Sequence, residues 1–210
     1  MKRQVIAEAD VRRAHRERRP LKIEEGAILT PSARDAVRAL QVEVVQAGQL
    51  RTHLPPIPAF RVVGVASDHG GVEAKRWVCE ALEALGAEYR DHGVNSSSES
   101  VDYPDKAAEI ATKVQSGAYW RGIIIDGIGI GSAISANKFI GIRAGQVYDT
   151  ITAINARAHN NANIITLGGQ LLGQKMVKEI VNLFLSTEFE GGRHQRRIDK
   201  IQQIEIDQRG

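Results

Sequence analysis

The sequence predicts an α/β fold: a three-layer, doubly wound sheet of five parallel strands, with a helical N-terminal extension. Two patterns point there. After Phe60, short apolar runs of strand length alternate with stretches of helical period, the succession that builds right-handed β-α-β crossovers. Before that point the chain is charged and helical, and "LRTHLPPIPAF", with three prolines, reads as an extended tether between the two parts. The boundaries are drawn at residues 1–48 for the extension, 49–60 for the Pro-rich linker and 61–210 for the main domain.

In the extension, "AEADVRRAHRERR" is a charged helix. "LKIEEGAILTPSARDAVRALQVEVVQAG" follows as a short extended piece, a turn and a second helix. Thr30 or Ser32 is placed to cap that helix, with Pro31 near its first turn. Ala33, Val37, Leu40, Val44 and Val45 form an apolar stripe that needs a partner surface. In the main domain the strands are "RVVGVAS", "AEYRDHG", "RGIIID", "GIRAGQVY" and "ANIITLG", with "RGIIID" apolar enough to be central. The helices between them are "GGVEAKRWVCEALEALG", ended by Gly86, then "DYPDKAAEIATKVQSG", "GSAISANK", "DTITAINARAHN", capped by Asp149, and "GQKMVKEIVNLFLS". The polar tail repeats Ile198, Ile201 and Ile204 at helical spacing, a stripe that suits packing on a second subunit.

Bulk properties exclude several classes. The one cysteine, Cys79, rules out an intramolecular disulfide; it shares a helix face with Val72, Leu82 and Leu85 and reads as a buried small hydrophobe. No run reaches the roughly 18 apolar residues of a membrane span, and Met1 to Pro20 lacks the apolar core of a signal peptide, so a cytoplasmic protein is expected. Residues 1–60 hold 11 Lys/Arg against 7 Asp/Glu, and the rest 17 against 18, so the basic charge belongs to the extension. That segment has no aromatic residue before Phe60 and no nucleic-acid-binding pattern, and nucleic acid is not expected as a partner.

In such sheets, ligands bind at the carboxyl ends of strands. The predicted ends fall at Ser67-Asp68-His69, at Asp126-Gly127 and ahead of Asp149, and His159 is assigned to the same rim. In "DGIGIGSAISANK", Gly127, Gly129 and Gly131 permit tight turns and close approach of a ligand, and the following amides favour negative charge. The spacing is not a dinucleotide fingerprint, and a P-loop lysine is missing. A carboxylate, Asp126, beside such amides suits proton abstraction next to a carbonyl, with the amides holding the enediolate oxygen; the alternative is an Asp that caps its own helix. Asp68 and His69 are too few to argue for metal. Arg193 and Arg197, four apart, would share one helix face and clamp a phosphate.

The blocks "SDHGG", "ESVDYPDKA", "RGIIIDGIGIGSAISANKFIGIRA", "ARAHNNANIITLGG" and "EFEGGRHQRRIDKI", in this order over residues 61–206, resemble the type B ribose-5-phosphate isomerase family, which includes subunits of galactose-6-phosphate isomerase. The resemblance implies a Rossmann-like fold and a homodimer, or a tetramer, with composite sites. It also implies no metal or cofactor, and aldose–ketose isomerisation of a phosphorylated sugar through a cis-enediol, with ribose 5-phosphate to ribulose 5-phosphate as the expected reaction. By position, Asp68 and His69 would contact substrate, Tyr103 and Asn137 would line the pocket, and His159 would assist ring opening with Asn160 beside it. Arg193 and Arg197 of the partner would hold the phosphate, and the loop Gly127, Ile128 to Gly131 would stabilise the enediolate.

The chain also departs from that family. Asp126 stands where many members have the Cys base, and Ser132 where another branch has a Glu base. Ile128 replaces a Thr or Ser, and Gln170 replaces an Arg. Asp126 is therefore the expected base, its pKa raised by partial burial. The alternatives are an isomerase of another pentose or hexose phosphate, or a sugar-phosphate-binding or assembly protein without turnover. The extension, around "ILTPSARD", is similar to N-terminal segments of bacterial-microcompartment proteins. That similarity implies recruitment to shell or cargo through residues 1–48, inside a microcompartment.

Overall fold

The computed structural model describes residues 4–17, 20–24, 26–46 and 61–208. The Pro-rich linker expected at 49–60 lies outside the described residues. The chain forms two compact units, Met1–Leu54 and Pro55–Gly210.

The first unit runs β1 (Val5–Ile6), α1 (Glu8–Arg16), β2 (Leu21–Ile23), β3 (Ile28–Leu29), α2 (Pro31–Leu40) and β4 (Val44–Gln46). It carries four short strands as well as the two expected helices. β1 pairs with β3 and β2 with β4, both parallel, with Val5 opposite Ile28 and Leu21 opposite Val44. Both registers are offset by 23 residues, so two successive β-α-β passes pair strand with equivalent strand. The Asp10 carboxylate accepts the Ala7 N–H at the start of α1 at 3.0 Å. Thr30 Oγ1 accepts the Ala33 N–H at 3.2 Å and caps α2, with Pro31 in its first turn. Ile6, Val11, Ala14, Leu21, Ile23, Ala33, Ala36 and Val42 close a small core.

The second unit contains β5 (Val63–Ser67), α3 (Val72–Ala84), β6 (Tyr89–Asp91), α4 (Tyr103–Gln115) and β7 (Arg121–Asp126). It continues with α5 (Ile130–Ala136), β8 (Ala144–Gln146), α6 (Thr150–Ala158), β9 (Ile164–Gly168), α7 (Gln174–Ser186) and α8 (Arg193–Asp207). All five strands are parallel, in the order β6-β5-β7-β9-β8, with β7 at the centre as its apolar run predicts. Alternation along β7 feeds two cores. Ile123 and Ile125 face α3, α6 and α7, with Phe184 and Leu82 among their partners. Ile124 faces α4 and α5, with Ile110 and Ala136. The result is the expected three-layer, doubly wound architecture. Cys79 is half-buried, and its thiol is held up at about 11 by burial and by the charge of Asp91, as an inert core residue should be. No helix among the described residues is long and apolar enough to cross a membrane.

Candidate active site

The parallel pairing of β5 with β7 sets Ser67 opposite Ile125, and the Asp68 N–H donates to the Ile125 carbonyl at 3.1 Å. Asp68 and Asp126 therefore leave neighbouring strands at one level of the carboxyl rim. Both carboxylates are buried, 7% and 5% exposed. Asp126 Oδ1 accepts the N–H of Ile128 at 2.8 Å and that of Gly129, and Oδ2 accepts the Ser132 N–H at 2.9 Å. Burial alone would raise its pKa, but neighbouring Ser132 and the amides of Gly129 and Ile128 outweigh burial and hold it below the usual value. This corrects the expectation of a raised Asp126 pKa: burial was legible, but the inward turn of three amides was not.

Asp68 is the contrary case. Its Oδ1 accepts the Gly70 N–H at 2.8 Å. Burial raises its pKa against that bond, with the charge of Asp126 adding and that of exposed His69 opposing.

The glycine loop between β7 and α5 is pinned. Gly129 has φ +90°, and a Cβ there would stand 3.0 Å from the Leu167 carbonyl carbon. Thr166 Oγ1 donates to the Gly129 carbonyl at 2.7 Å, and Gln146 Nε2 donates to that of Ile128 at 2.9 Å. The Gln170 N–H donates to the Gly127 carbonyl at 3.1 Å, and its side chain covers Gly127. The Tyr103 ring packs against Gly131, where a Cβ would fall 2.5 Å from it. Ile128, with no hydroxyl to offer, is 42% exposed on the rim. The Ser132 side chain is fully buried beside Asp126, whose pKa it helps to lower. Asn137 commits its amide to the free edge of β8: Nδ2 donates to the Ala144 carbonyl and Oδ1 accepts the Ala144 N–H, each at 2.8 Å. It borders a cavity of about 510 Å³ with Arg143, Gln146, Thr152, Asn155 and Asn160.

His159 belongs to a second cluster, on the other edge of the sheet. α6 starts at the carboxyl rim, after β8, and runs back, so its C-cap His159 lies ahead of the first residue of β9. The length of β9 separates that edge from the rim, about 17 Å for five residues. This corrects the assignment of His159 to the rim: in parallel α/β topology a helix end and a strand end lie on opposite edges. Asn160 Nδ2 donates to Asn155 Oδ1 at 2.9 Å, which leaves Asn155 Nδ2 to donate to His159 Nδ1, also at 2.9 Å. In this network the His159 proton sits on Nε2, facing Glu190 Oε2 at 3.6 Å. His194 of α8 stacks on His159, and its Nε2 accepts from Arg193 Nε at 3.3 Å. Arg193 and Arg197 are exposed in the first turns of α8.

Glu190 and His194 were not singled out in the sequence as site residues, although "GGRHQRR" holds the cationic cluster that marks them. His159, Glu190 and His194 bring ligand atoms within 4.8 Å of one another. They do not suit a metal in this arrangement: the rings lie 7° from parallel, so their Nε2 directions do not converge, and both Nε2 atoms are engaged.

A family model described as Ribose/Galactose Isomerase matches residues 63–201. The chain is 38% identical over 146 residues to the ribose-5-phosphate isomerase B of Escherichia coli, covering 70% of this chain and 97% of that protein. It is 37% identical over 139 residues to the D-erythrulose-4-phosphate isomerase of Pectobacterium atrosepticum, covering 66% and 91%. The crystal structure of a ribose 5-phosphate isomerase from Thermotoga maritima superposes with a TM-score of 0.66 at 45% identity, covering 68% of this chain and 98% of that one.

Proposed function

The chain belongs to the ribose/galactose isomerase family and is a sugar phosphate isomerase, and from that premise we propose that it converts ribose 5-phosphate to ribulose 5-phosphate as a homodimer. The observation that carries the proposal is the pair of buried carboxylates, Asp68 and Asp126, beneath a pinned glycine loop at the rim where such sheets bind ligands. One carboxylate moves a proton between C1 and C2. Gly127, Ile128, Gly131, His69 and Tyr103 shape the pocket around it, and Asn137 fixes its border.

His159 assists ring opening, Asn160 and Asn155 hold it, and Arg193 with Arg197 bind the phosphate. These groups lie on the far edge of their own sheet, so a second copy must supply them. An antiparallel pairing of α6 with its copy suits this. Nine residues of helix span about 14 Å, comparable to the width of the sheet. Ile151 and Ile154, 75% and 39% exposed, give α6 an apolar face to pair. We further propose that residues 1–48 recruit the enzyme to a bacterial microcompartment within the cytoplasm.

A second reading is an isomerase for another sugar phosphate. Ile128 and Gln170 favour it, as does the relative named D-erythrulose-4-phosphate isomerase. The test is turnover by the purified chain on ribose 5-phosphate, D-erythrulose 4-phosphate and galactose 6-phosphate. A preference for ribose 5-phosphate is expected. A preference for another member selects the second reading, and binding without turnover leaves a sugar-phosphate-binding or assembly protein.

A further inference from the structure

We propose that Asp68, not Asp126, is the catalytic carboxylate, and that Asp126 is a fixed negative charge that orders the glycine loop beside it. The proposal rests on the isomerase reading above.

The two acids start from equivalent places, on adjacent strands at one level of the rim. Their surroundings then separate them. Both oxygens of Asp126 point into the loop and accept three N–H groups. To take a proton from carbon, Asp126 would have to give up hydrogen bonds that also hold the loop in shape. It cannot swing out cheaply, since its own carbonyl accepts the Gly169 N–H at 2.8 Å and the next turn is tied by Thr166 and Gln146. Asp68 accepts one close N–H, from Gly70, with the Gly71 N–H adding a weaker contribution. A Cβ on Gly70 would stand 3.1 Å from the Gly127 nitrogen and 3.3 Å from Asp68 Oδ1, so the Asp68 carboxylate and the head of the loop border one narrow gap.

The titration shifts run the same way. Asp126 is lowered, the Ser132 side chain and the loop amides together overcoming burial, while Asp68 is raised by burial with the Asp126 charge adding. Two acids pushed apart in this manner divide their duties: the lowered one stays ionised and the raised one exchanges protons. His69 is the other charged group acting on Asp68, and it opposes the rise.

The step balances without a co-reactant. The Asp68 carboxylate takes the C2 proton of the open-chain aldose. The C–H pair becomes the C1–C2 π bond, and the carbonyl π pair moves to O1 to give the enediolate. The Asp68 carboxylic acid then returns its proton to C1 while the O2 proton passes to O1. C1 is reduced and C2 oxidised within one molecule.

The experiment compares the full-length parent with Asp68→Asn and Asp126→Asn. Exchange of the C2 proton of ribose 5-phosphate in heavy water is followed by NMR, beside a thermal melt. Asp68→Asn is expected to stay folded and to lose about 10²- to 10⁴-fold in exchange. Asp126→Asn keeps one acceptor oxygen for the loop and loses the other, so a smaller loss than in Asp68→Asn is expected, and the acid limb of its kcat/KM profile moves to lower pH, because removing a neighbouring negative charge lowers the Asp68 pKa. Parental exchange in Asp68→Asn overturns the assignment, as does abolished exchange in a folded Asp126→Asn. If Asp126→Asn does not fold, carbon-13 titration of the parent decides: an Asp68 carboxyl titrating above the ordinary range supports the proposal, and one at or below it overturns it. A parent chain inert on every sugar phosphate removes the isomerase reading itself, whereas an active parent with an active Asp68→Asn removes only this assignment.

Discussion

His159 and His194 stack face to face, with ring centroids 4.1 Å apart and planes 7° from parallel. The stack joins the end of α6 to the first turn of α8. Burial, then the charges of His159 and Arg193, lower the His194 pKa from its ordinary 6.5, with Glu190 opposing and Arg197 adding. The folded state thus binds this proton less readily than the unfolded chain. The stability it confers is complete above 6.5 and is lost as pH falls below that value. Hydrogen exchange in α8, corrected for its intrinsic pH dependence, should therefore rise between about pH 7.5 and about pH 5.5, while α7 changes little. His194→Gln should abolish the difference. Equal protection of α8 at both pH values would contradict it.

Asn155 holds the His159 tautomer through Nδ1 and is itself held by Asn160. Asn155→Leu removes that bond while leaving both carboxylates in place. Turnover of ribose 5-phosphate should fall about tenfold, the worth of one such hydrogen bond, with KM little changed. An unchanged kcat would show that the tautomer does not matter to the slow step.

The legible part of the molecule was the part written in apolar runs. "RGIIID" has no polar residue between its ends and lies at the sheet centre, and Thr30-Pro31 starts a helix as its chemistry requires. Of the short strands, β2 lies in the extended piece read from "LKIEEG", whereas β1 and β3 escaped because two residues show no period, and Val44 and Val45, read as the end of the helical stripe, belong to β4. Asp126 was visible as a buried acid, but its pKa direction depends on where the Ser132 side chain and three backbone N–H groups point, and residue types do not encode that. The motif proposes His159 as a site residue, while its edge of the sheet follows only from helix direction.

Each unit has a core of its own, Val11 and Ala33 in the first and Ile123, Ile125 and Phe184 in the second. Deleting residues 1–60 should leave a folded, dimeric second unit that melts within a few degrees of the parent, the shift expected for a loss under about 1 kcal/mol. A large drop in the melting temperature would show that the extension contributes to the stability of the main domain.

Subunit sharing can be tested by mixing two dead enzymes. Asp68→Asn removes a rim acid, and His159→Ala removes the group proposed to open the ring, on the opposite edge, and each homodimer should be inactive. In a mixed dimer, one site pairs both defects. The other pairs the intact Asp68 of the His159→Ala chain with the intact His159 of the Asp68→Asn chain. Equal amounts unfolded and refolded together give half mixed dimers, each with one working site, so activity should return to about a quarter of the parental value. A site built within one chain predicts none, because every site would keep its own defect. The return of activity would also account for His159 lying a full strand length from the acids of its own chain.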